Sequence, residues 1–181
     1  MDNRLRRSSL WAQAAYIALV LAALAPTTSC SRQGTARQMT AAESAQAVQA
    51  LTTWLECEEC QDGELAAVTR YGQTVVPSLI AVLDGGPSPA SREQMRRQLE
   101  VRYDELAERA QRNPNARLAS SKDQFIALYL GNFDAQYRVR AAQALAAIGG
   151  QRSRGALEAA LGKAQRGDVD SEIRRLLRTM K

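Results

Sequence analysis

The chain has 181 residues, 24 basic against 19 acidic, and no histidine. The missing histidine removes the commonest general base and metal ligand, together with every Ser-His or Cys-His arrangement. A formal charge of +5 over this length is not the electrostatic footprint of a nucleic-acid binder.

Residues 1–29 read as an export signal. Arg4, Arg6 and Arg7 precede an apolar run over 14–25, and a small-residue patch, Thr27-Thr28-Ser29-Cys30, follows. The run is shorter than the roughly 18–20 residues of a membrane-spanning helix, and Gln13 and Pro26 close it. The patch resembles the bacterial lipobox, with Thr27 standing where Leu is usual. That resemblance implies lipidation of Cys30 as the first mature residue, and Ser31 after it implies sorting to the outer membrane. Cleavage after Ala23-Leu24-Ala25 would leave Pro26 first, which signal peptidases resist; an uncleaved anchor is the third alternative. The chain after residue 29 carries a net +3, graded from −4 over 30–90 through +2 over 91–131 to +5 over 132–181.

Residues 30–39 form an expected flexible tether, and 40–181 the folded domain. Thr40-Ala-Ala-Glu43 is a capping box, in which each residue's side chain satisfies the other's amide. It opens a helix with Val48, Leu51, Trp54 and Leu55 facing inward. A short helix over 64–71 stops at Gly72, and Thr74-Val-Val-Pro77 starts another that buries Leu79, Ile80 and Leu83 and ends at Asp84-Gly85-Gly86. Over 91–112 lies a long charged helix whose narrow stripe (Met95, Leu99, Tyr103, Leu106, Ala110) predicts that it lies across the other helices with most of its surface in water.

Ser121-Lys-Asp-Gln124 is a second capping box, opening a helix expected to stop at Gly131. Asp134 is then expected to cap a new helix to Ile148, Gly149-Gly150 to turn the chain into 153–161, and a last helix to occupy 170–180. No strand is expected, so the fold class is all-α. Within it, Asp134-Ala-Gln-Tyr-Arg-Val139-Arg140 and Asp168-Val-Asp-Ser-Glu-Ile173-Arg174 repeat one pattern 34 positions apart, the signature of stacked helix pairs.

These residues, with the alanines at 141, 142, 144, 146 and 147 and the turn at Gly149, resemble the HEAT-like repeats of bacteria, including those named for phycobilin lyases. Val68, Tyr71, Gly72, Val76, Pro77 and Leu79 resemble the same signature at an offset of 77. The resemblance implies a short right-handed α-solenoid of HEAT-like helix pairs with one long inserted helix. Asp134, Arg140, Asp168 and Arg174 are expected to form an Asp-to-Arg ladder between repeats. Lyase activity is not carried over, because an exported protein would not meet phycobiliproteins.

The one chemical constellation is Cys57-Glu-Glu-Cys60. A local disulfide is expected in an oxidising compartment, against a redox site, half of a zinc site or a reduced buried pair. Glu56, Glu58 and Glu59 oppose a reactive thiolate. The expectation is therefore a non-enzymatic, membrane-tethered module that binds another envelope protein, needs no cofactor, and takes neither nucleic acid nor a small-molecule substrate. The alternative is a redox or metal-binding envelope protein acting through Cys57 and Cys60.

Overall fold

The computed structural model describes residues 39–57, 59–113, 117–163 and 166–180. The expected signal peptide, Cys30 and the tether as far as residue 38 lie outside the described residues, while Met39 packs on the main core. Among the described residues the fold is all-α, with seven helices: α1 Ala41–Glu56, α2 Asp62–Thr69, α3 Val76–Gly85, α4 Pro89–Arg112, α5 Lys122–Ile148, α6 Gly150–Leu161 and α7 Gly167–Thr179. None is long and apolar enough to cross a membrane.

Local chemistry sets most of the helix ends. Thr40 and Glu43 close the expected capping box at α1, with amide-to-side-chain distances of 2.8 and 3.2 Å, and Ser121 and Gln124 do the same at α5 at 3.1 and 3.3 Å. Pro89 occupies the first turn of α4, where its missing donor costs nothing, and the Ser88 hydroxyl accepts from the Ser91 amide at 3.0 Å. Gly86 and Gly149, with φ of 76° and 70°, end α3 and α5 in a backbone region that side chains with a Cβ avoid.

Where the sequence signals a break at Gly131 and a cap at Asp134, the structure runs straight through. Residues Lys122–Ile148 form one helix, and Asp134 lies in its interior. A mid-helix glycine costs about 1 kcal/mol relative to alanine. Stopping there would strand several backbone donors and acceptors, and would divide a helix that buries side chains on both sides of the glycine, Ile126 and Leu130 before it, Ala135 and Tyr137 after. The last two helices also start earlier than their sequence signals, at Gly150 and Gly167.

Helix α5 packs against all six of the others. Its first half pairs with α4 as an antiparallel hairpin. Tyr103 donates to the Ser120 carbonyl at 3.0 Å, Lys122 pairs with Asp104 at 2.8 Å, and Arg92 pairs with Asp134 at 2.7 Å, so partners run in opposite directions along the two helices. A small cluster of Leu99, Ile126 and Leu130 seals this hairpin. The second half of α5 lies in the main core, where Leu79, Leu83, Leu145, Leu157 and Ile173 are wholly buried. Ala141, Ala142 and Ala144 are buried without any exposure, and their small side chains let the neighbouring helices come close.

The continuity of α5 is tested by Gly131→Ala. The added Cβ would meet only the end of the Arg166 side chain, at 3.4 Å. The substitution should stabilise by about 0.5–1 kcal/mol and raise the thermal midpoint by roughly 2–4 °C. A lower midpoint would mean that the glycine serves a break in the helix.

Candidate functional site

The four ladder residues have four different surroundings. Asp134 pairs with Arg92 of α4, Asp168 with Arg166 just ahead of its own helix at 2.8 Å, and Arg174 is exposed. Arg140 is 7 % exposed and turns to α1. Asp134 and Arg140 do not meet, because six residues along a helix is about 240° of rotation and leaves the two side chains on different flanks. Arg166 holds the Asp168 carboxyl below its ordinary pKa, with the Val169 amide adding to the effect.

The polar centre of the molecule joins the end of α1 to α5. The Trp54 indole N–H donates to the Arg140 carbonyl at 3.0 Å. In return the Arg140 guanidinium donates to the Leu55 carbonyl at 2.6 Å and, through Nη2, to the carbonyl of Cys57. These two carbonyls stand at the end of α1 and lack partners within it, so Arg140 caps a helix far from it in sequence. The Tyr137 hydroxyl donates to Glu56 Oε1 at 2.9 Å. Burial pushes the Tyr137 pKa well up, and the Glu56 carboxylate pushes it the same way; burial pulls Arg140 down from the usual arginine value, opposed by Tyr137.

At the edge of this clamp, Cys57 and Cys60 are disulfide-bonded with their Cα atoms 5.3 Å apart. Cys57 is half-buried, Cys60 exposed. Trp54, expected in the core, is buried with its N–H satisfied. Among the described residues no group of three or more cysteine, aspartate or glutamate side chains comes together in a way that could hold a metal ion.

Sequence reasoning did not single out Tyr137, nor Arg140 as a partner of α1. One signal was present: Arg140 sits next to the buried alanines 141 and 142, where a charge needs a specific acceptor. Elsewhere, Gln143 donates to Glu172 at 3.1 Å and links α5 to α7. Arg175, and then Gln143, hold the Glu172 carboxyl below its ordinary pKa.

Two measurements test these contacts. Arg140→Met leaves two helix-end carbonyls without their donor and should cost about 2–6 kcal/mol in urea unfolding, at about 1–3 kcal/mol for each orphaned group; a loss under about 0.5 kcal/mol would remove the clamp from the account of stability. Because the folded pKa of Glu172 is depressed, its contribution is complete above the unfolded value of about 4.3 and disappears as pH falls through the folded value. Glu172→Gln should therefore flatten the acid side of the stability profile, and an unchanged slope would count against the linkage. No known protein family, curated protein or solved structure matches the chain.

Proposed function

We propose that residues 40–181 are a short right-handed α-solenoid of HEAT-like helix pairs that binds another envelope protein and carries out no catalysis. On this reading the signal peptide over 1–29 is removed and a lipid on Cys30 tethers the module to the periplasmic side of a bacterial envelope, at the outer membrane. The tether leads into the domain at Thr40.

The observation that carries the reading is the contact between equivalent positions of the repeats. Arg166 donates to the Asn132 side chain at 2.9 Å across a separation of 34, the same period as the Asp134 and Asp168 motifs. Gln73 donates to the Gly149 carbonyl at 3.2 Å and ties together two turns whose glycines, Gly72 and Gly149, both have positive φ. Val68 and Leu145, and Leu79 and Leu157, pair in the proposed alignment of copies and are all wholly buried. Copies that face one another in matched register are what a stacked repeat requires. The lack of histidine supports a binding role over a catalytic one.

The partner surface is best placed on the first half of α5. Leu128 and Tyr129 are 60 % and 45 % exposed there, and Tyr129 stacks on Phe125, which in turn stacks on Tyr103, with ring centroids 4.5 and 5.5 Å apart. Exposed aromatic and aliphatic groups on a rigid helix are common anchors at interfaces.

Crosslinking in the solubilised envelope should capture a specific partner with the natural chain. Leu128→Glu combined with Tyr129→Ser should lose that partner at least tenfold while the helical circular-dichroism signal persists. Recovery of monomer alone under several conditions would sink the reading. An intact mass should show an acylated chain beginning at Cys30; a chain beginning at Pro26, or at Met1, would remove the lipid tether.

A further inference from the structure

The two sulfurs of the Cys57–Cys60 bridge have unlike surroundings. Cys60 is exposed, in a loop beside the exposed Glu59. Cys57 is half-buried, and its own carbonyl accepts from the guanidinium of the buried Arg140. Glu56, which precedes Cys57, accepts from the Tyr137 hydroxyl. Cys57 Sγ lies 3.1 Å from the Trp54 carbonyl oxygen on the half-buried side, while the Cys60 side is open to water.

The hydrogen bonds that hold this loop do not depend on the bridge. Arg140 grips the backbone of Leu55 and Cys57, Trp54 grips the backbone of Arg140, and Tyr137 grips Glu56. Breaking the sulfur–sulfur bond leaves all of these contacts available. The bridge is thus placed where it opens without dismantling the core.

We propose that Cys57–Cys60 is a thiol–disulfide exchange site, opened by a dithiol that attacks the sulfur of Cys60. A thiolate of the dithiol bonds to Cys60 Sγ, and the bond between the two protein sulfurs breaks. Its electron pair leaves on Cys57 Sγ, which takes a proton from water. The second thiol of the dithiol, deprotonated, then attacks its own partner sulfur in the mixed disulfide and releases Cys60 as a thiolate, which is protonated in turn. The protein gains two electrons and two protons, and the dithiol becomes a disulfide. Exchange depends on access to the sulfur attacked, so the exposed Cys60 is the site of attack and the half-buried Cys57, turned to the Trp54 carbonyl, is the sulfur that leaves. This exchange goes beyond the interaction-module reading and does not require it.

The test uses the full chain under native conditions. Dithiothreitol should open the bridge while the helical circular-dichroism signal is unchanged, as read by alkylation and mass mapping. Glutathione used as a trap should leave its mixed disulfide on Cys60 and not on Cys57. Glu59→Gln, outside the clamp, should speed attack by an anionic thiolate about twofold. A bridge that opens only in denaturant, or an adduct on Cys57, would overturn the proposal. An unchanged Glu59→Gln rate counts against attack at Cys60.

Discussion

A helix that must touch every other helix has little freedom in its sequence, and α5 meets that demand by changing character along its length. Before Gly131 it presents Ile126 and Leu130 to α4, bulky side chains that fill a two-helix seam. After Gly131 it presents Ala141, Ala142 and Ala144, whose small size brings α1, α3, α6 and α7 within packing distance of one backbone. Were the hydrogen-bond ladder interrupted between these halves, hairpin and core would lose their rigid connection. The unbroken ladder therefore fixes the register of everything attached to it.

The polar contacts follow the same logic. Where α5 carries a buried charge, the end of another helix supplies the acceptors, as Leu55 and Cys57 do for Arg140. A guanidinium has five donors in a planar fork and no acceptor, so it suits a pair of helix-end carbonyls that have nothing else to bind. The exchange is reciprocal, since Trp54 of α1 donates back to the carbonyl of that same arginine. Each helix thereby removes an unpaired group from the other, and the buried charge is met by backbone carbonyls.

Much of this was legible in the residues. The capping boxes at Thr40 and Ser121, the proline at 77 and the glycines at 72, 86 and 149 act within a few residues, and the structure uses each near the place the sequence marks it. Gly131 and Asp134 carry the same local signals, yet there the packing on both sides outweighs them. The bridge between Cys57 and Cys60 was readable because its partners are three residues apart. The arginine on the Cys57 carbonyl was not, since Arg140 reaches it across 83 residues and only the folded chain brings them together.

The small cluster of Leu99, Ile126 and Leu130 has one more consequence. Three buried side chains flanked by Met95 and Phe125 are a smaller seal than the main core, so lifting α4 from α5 is expected to cost less than unfolding the whole. The α4–α5 hairpin is thus the part of the fold expected to open first, hinged on a helix whose far end stays in the main core. Amides along α4 are then expected to exchange ahead of those in the core, and whatever sits against the hairpin would shift that opening first.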